Sequence, residues 1–168
     1  ASSPNWSTPH ANRAIVLDPQ LAEGHASIGF VKLHHDWDLT GAVLDLRRAI
    51  ELNPGYTTAW QWYTAALRAL GRFDEAIAAA NRALALDPFA VATTVNLGIS
   101  QFFARDMVTA ATTFERAIAM APQAEDAYNW LASTYHTLGR MDDAQRITAR
   151  AIEVQQGIGF AKTGMSAI

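Results

Sequence analysis

Five consecutive residues hold the densest set of reactive side chains in the sequence: His34-His35-Asp36-Trp37-Asp38, with four potential metal ligands. Adjacent histidines on a helix point about 100° apart and rarely share one ion. The better reading is a turn in which Asp36 or Asp38 caps a helix and Trp37 packs, so no metal site is expected. A second set is an arginine ladder, Arg13, Arg48, Arg82, Arg116 and Arg150. A phosphate-binding stripe would use such a row, but acidic neighbours such as Glu51 and Glu115 make it a solvated outer face. The carboxylate pairs Asp74-Glu75 and Asp142-Asp143 fall where helices begin, where negative charge is favoured anyway. Asp74 is expected to cap its helix. The serines lack a glycine elbow, no glycine-rich phosphate loop exists, and there are no cysteines. Thiolate metal sites, disulfides and cysteine nucleophiles are thereby excluded. The expectation is a non-enzyme with no cofactor and no metal.

The elements that hold these residues repeat. Pro19, Pro54, Pro88 and Pro122 fall at intervals of 35, 34 and 34. Each ends a similar phrase, as in Ala49-Ile50-Glu51-Leu52-Asn53-Pro54 and Ala83-Leu84-Ala85-Leu86-Asp87-Pro88. A fifth copy, Ala151-Ile152-Glu153-Val154-Gln155-Gln156, lacks the proline. Each unit reads as two helices. Tyr63, Leu67 and Leu70 mark one face of the first, Gly71 ends it, and Ala76, Ile77, Ala80, Ala83 and Leu84 form a stripe on the second. Pro88 cannot extend that helix, so the chain turns. Small residues at 76 and 83 let the two axes approach closely.

The 168 residues are half apolar, enough for one domain with a sizeable core, and carry a formal charge of −3. That mild acidity argues against a nucleic-acid surface. No run approaches the roughly 18 to 20 apolar residues of a membrane span. Residues 1–9 lack a basic stretch followed by an apolar run, so no signal peptide is expected. Without cysteines or targeting segments the expected location is cytoplasmic. Lacking an initiator Met, the chain reads as a piece of something longer.

These residues resemble the tetratricopeptide repeat. The matches are Ile28-Gly29, Ala42, Leu46, Ala49 and Pro54 in the first unit, and Trp60, Tyr63, Ala76, Ala83 and Pro88 in the second. The third has Leu97-Gly98, Ala110, Phe114, Ala117 and Pro122; the fourth has Tyr128, Leu131, Ala132, Tyr135, Ala144 and Ala151. The family usually has an aromatic where Ala80 stands. The resemblance implies an all-α, right-handed α-α superhelix of tandem hairpins in a single domain over 1–168. Residues 8–20 would be the second helix of a truncated repeat, with Thr8-Pro9 as its start. Four repeats would span 21–54, 55–88, 89–122 and 123–156, and 157–168 would be a flexible tail. The first repeat has one extra residue, placed in the turn His35-Asp36-Trp37-Asp38. The stretch from His34 to Ala42, with Glu51 to Tyr56, is similar to tetratricopeptide regions of multidomain bacterial regulators.

In the family the first helix of each unit lines a concave groove, at positions 2, 5, 6, 9, 12 and 13. The resemblance therefore implies a partner-binding groove containing Phe30, His34, Gln61, Trp62, Arg68, Asn96, Phe103, Asn129, Trp130 and His136. Ala92, Val95, Ile99 and Asp126 fall at the same positions. Aromatics dominate binding hot spots, and amides pair with a ligand's main chain. The competing reading packs these rings on neighbouring helices, for Phe102 and Phe103 above all. A basic clamp for acidic chaperone tails is rejected. Asn96 suits its middle position, but Gln61, Ala65, Asp126 and Trp130 supply none of the cations. The expected partner is a protein or peptide, with no nucleic acid and no membrane, and homo-oligomers forming through uncovered apolar ends. The alternatives are a structural, self-associating segment, or a regulatory sensor domain of a larger bacterial signalling or transcription protein.

Overall fold

The computed structural model describes residues 18–163, with side chains through Gln156. Among them every regular element is a helix: α1 (Ala22–Val31) with a π-helical turn (Lys32–Asp36), α2 (Leu39–Leu52), α3 (Thr57–Ala69), α4 (Phe73–Leu86), α5 (Val91–Phe103), α6 (Met107–Met120), α7 (Glu125–Thr137) and α8 (Met141–Thr163). The helix expected over 8–20 lies outside the described residues as far as 17. The chain divides into two compact units, Ala1–Pro88 and Phe89–Ile168. In the first, α1 packs on α2, α2 on α3 and α3 on α4; in the second, α5 packs on α6, α6 on α7 and α7 on α8.

Alanines set the hairpin spacing. Ala42, Ala49, Ala76, Ala83, Ala110 and Ala117 are buried, none more than 1% exposed. Between each pair stands the residue that fills the interhelical space: Leu46 in α2, Ala80 in α4 and Phe114 in α6, all at 0% exposure. Size is matched across the hairpin. Gly29 faces Leu46, and a Cβ there would lie 2.5 Å from Leu46 Cγ; Gly98 faces Phe114, where a Cβ would lie 2.6 Å from Cε1. At the equivalent register the second hairpin has Thr64 with Ala80. The buried Thr64 hydroxyl donates to the Trp60 carbonyl at 2.9 Å, so no polar group is stranded.

Each hairpin turns through one left-handed residue, at 37, 71, 105 and 139, again 34 apart. Glycine occupies 71 and 139, while Trp37 (φ 56°) and Arg105 (φ 69°) bear the strain that a side chain brings to this region. The turns close as Schellman motifs: Arg72, Asp106 and Arg140 N–H groups donate to carbonyls five residues back, on Leu67, Gln101 and Tyr135. In the first hairpin Asp38 N–H reaches six back, to Lys32 O at 3.1 Å. The extra residue is therefore absorbed in the helix, as a π turn, rather than in the loop.

The structure also departs from the sequence expectation at Trp37, at Asp74 and over 157–163. Asp38, not Asp36, caps α2, accepting Gly41 N–H at 2.9 Å, but Trp37 does not pack in the turn: its side chain is 79% exposed on a left-handed backbone. Asp74 is not a cap. The chain leaves Gly71 with Arg72 at the N-cap, and Arg72 bonds Glu75 through Nε and Nη2 at 2.7 and 2.6 Å. Finally, non-helical chain from 157 onward is not found over 157–163, because α8 continues to Thr163. α2, α4 and α6 each stop just before a proline, whereas Gln156 stands where the fifth proline is missing. Gly157 and Gly159 cost about 1 kcal/mol each in a helix, which slows it without ending it. Residues 164–168 lie outside the description.

Candidate interaction surface

The His34 ring lies against Phe30, centroids 4.4 Å apart, and both histidines of the π turn are exposed. Among the described residues no three His, Cys, Asp or Glu side chains are grouped to hold a metal ion, and no helix is long and apolar enough to cross a membrane. The arginine ladder is on second helices. Arg48 and Arg150 pair with Glu51 and Glu153 at 3.6 and 2.6 Å, three residues on, and Arg116 reaches Thr94 Oγ1 at 3.4 Å. Arg13 lies outside the described residues.

In the first unit, α1 and α3 bring Phe30, His34 and Trp62 into one cluster. Phe30 sits between the other two, 4.7 Å from the Trp62 ring. Trp62 is half-buried against the core formed by Leu33, Leu46 and Leu67 and their neighbours. Gln61 is half-buried one residue away. Arg68 falls in the last turn of α3, where burial pulls its guanidinium below the usual range.

In the second unit Phe102, Phe103 and Trp130 form a mutual edge-to-face triangle with centroids 5.4 to 5.8 Å apart. Trp130 also lies nearly parallel to the core ring of Phe114, at 6.4 Å and 13°. Its inner face is thus structural, as is Phe102, while Phe103 remains 44% exposed. The packing reading therefore applies to one face of Trp130 and to Phe102, and least to Phe103.

α5 and the first turn of α7, with the loop before α7, line an open cleft of about 600 Å³. Val91, Ala92, Val95, Asn96 and Ile99 line it from α5; Gln123, Ala124, Glu125 and Asp126 line it from the other side. Five of these, Ala92, Val95, Asn96, Ile99 and Asp126, stand at the repeat positions counted as inward. Val91 and Glu125 escaped that count. Both stand at the first position of their helix, and a stripe drawn from position 2 misses them although their equal register was legible. Asn129 is exposed and does not line the cleft; its carbonyl accepts the Ser133 hydroxyl at 3.0 Å. His136 lines a separate hollow of about 380 Å³ with Ser133, Thr137 and Thr148.

The most perturbed titrating group lies away from the cleft. Tyr135 donates its hydroxyl to Glu115, and the Arg140 guanidinium stands over its ring at 4.2 Å. Burial, then the hydrogen bond to the negative Glu115, pushes the phenol from 10.0 up to about 12. The folded chain therefore holds this proton more tightly than the unfolded one. Stability from it is complete below pH 10 and is lost as pH rises toward about 12. In chemical unfolding at a series of alkaline pH values, stability should fall across that window. Tyr135→Phe should flatten the fall; an unchanged slope would remove this residue from the account.

The tetratricopeptide repeat family model matches residues 35–93 and 104–158. No curated protein sequence matches the chain. Solved structures do. A MamA crystal structure is 20% identical, covers 90% of this chain and 88% of its own, and superposes with a TM-score of 0.80. MamA from Desulfovibrio magneticus RS-1 is 13% identical over 89% of this chain and 84% of its own, with a TM-score of 0.81. YrrB, described as a TPR protein with an unusual peptide-binding site, is 17% identical over 89% of this chain and 76% of its own, at 0.73. At such identities the likeness speaks for the fold, an all-α array of the tetratricopeptide solenoid class. With the repeat model covering both units, and with hairpins spaced by buried alanines and turned at a left-handed residue every 34 positions, this chain belongs to the tetratricopeptide repeat family.

Proposed function

We propose that this chain is a non-enzymatic interaction module whose first helices bind a peptide segment of a partner protein. One observation carries the reading: four inward repeat positions of α5 (Ala92, Val95, Asn96, Ile99) and one of α7 (Asp126) line one open cleft with an apolar floor and an amide, Asn96, in its wall. Farther along the same two helices, the exposed Phe103 and the half-buried Trp130 offer large contact area at low entropic cost. In the first unit Phe30, His34 and Trp62 supply a comparable patch. That YrrB carries a peptide-binding site on the same fold supports the assignment. Side-chain amides suit a peptide's main chain because each both donates and accepts.

The test is peptide-display panning of the parent beside a Trp62→Ala/Asn96→Ala/Trp130→Ala variant, both first shown helical by circular dichroism. Selection of a common motif by the parent, lost on the variant, is the expected result. Selection by neither, or equally by both, overturns it and moves the weight to self-association through the helical ends.

A further inference from the structure

We infer that the cleft between α5 and α7 selects a peptide carrying a lysine or arginine flanked by apolar residues. This rests on the interaction reading above and specifies the chemistry of its ligand. The floor is apolar: Val95 and Ile99 are 8% and 9% exposed, with Val91 and Ala124 beside them. Two carboxylates, Glu125 and Asp126, stand on one wall. Neither belongs to an ion pair among the described residues, so both charges face the cleft uncompensated by a side chain of this chain. No cationic residue lines the cleft.

Their place in the first turn of α7 offers a competing explanation, since a helix N-terminus welcomes negative charge. The magnitudes leave a surplus. The helix end supplies roughly half a positive charge against two carboxylates. The remaining field is negative beside an apolar floor, where an entering anion would be repelled and desolvated together. A cationic side chain instead gains charge-assisted hydrogen bonds, with its apolar neighbours placed against Val91, Val95 and Ile99. Its long methylene stem suits such a floor as well. The chain's overall charge of −3 adds attraction at long range.

The experiment uses three display libraries in which one central position is fixed as Lys, Gln or Glu and the flanks are randomised over apolar residues. They are panned on the whole chain, on Glu125→Gln/Asp126→Asn, and on Asp142→Asn, which neutralises an equivalent first-turn charge on α8. The Lys library should be retained about tenfold over Gln and further over Glu. The double variant should bring the Lys-to-Gln ratio close to one while still retaining apolar peptides, and Asp142→Asn should leave it unchanged. Equal retention of Lys and Gln by the parent, or a ratio indifferent to the double variant, overturns the cation claim while the interaction reading stands. Retention of no library by the parent overturns both.

Discussion

Phe114→Ala is expected to lower the stability of the second unit by about 3–5 kcal/mol, toward the upper end of that range. The ring is fully buried between α5 and α6 and belongs to the core with Val95, Ile99, Ala110 and Leu131. What decides the magnitude is how far the site can close after truncation. The residue facing it is Gly98, which has no side chain to move in. The small alanines at 110 and 117 already hold the helices close, so there is little further approach to make. The void therefore persists, and the cavity cost adds to the lost burial. Trp130 stacks on the same ring, so its fluorescence should change in the folded variant as well. Urea unfolding followed by circular dichroism measures the loss. A cost below about 1 kcal/mol would mean that the hairpin collapses around the gap.

The alanine stripes and proline period made the hairpins legible because both report burial and helix termination, which are local properties. Ala76 and Ala83 needed only their spacing to be read as a close helix contact. The errors occur where a neighbouring choice of backbone decided the outcome. Asp74 looks like a cap, but Arg72 follows a left-handed Gly71 and starts the helix two residues earlier. Trp37 looks like packing material, but the inserted residue widened the preceding helix into a π turn and left the indole outside. Continuation of α8 past Gln156 is an absent proline overriding two weak glycine signals. For the candidate surface, register identified Asn96 and Asp126 but could not say that one face of Trp130 rests on Phe114, since that contact joins residues from two different repeats.

Gly98→Ala should also destabilise, by about 1–3 kcal/mol, although alanine is intrinsically better in a helix than glycine by about 1 kcal/mol. The new Cβ would fall 2.6, 2.8 and 2.9 Å from three atoms of the Phe114 ring. Nothing flexible can yield, because Phe114 is itself enclosed and backed by Trp130. Steric cost therefore exceeds the propensity gain. The two residues should behave as one unit of volume, with a coupling of about 0.5–3 kcal/mol in a double-mutant cycle. The second hairpin supplies the control, because Thr64 and Ala80 divide the same space with the large and small partners exchanged. Gly98→Thr/Phe114→Ala copies that arrangement into the third hairpin. Its threonine hydroxyl can donate to the carbonyl four residues earlier, as Thr64 does to Trp60. The double variant should then be more stable than the sum of the two single losses allows. Simple additivity would show that Gly98 is needed for its backbone and not for the room it leaves, and the size-exchange account of these hairpins would have to be abandoned.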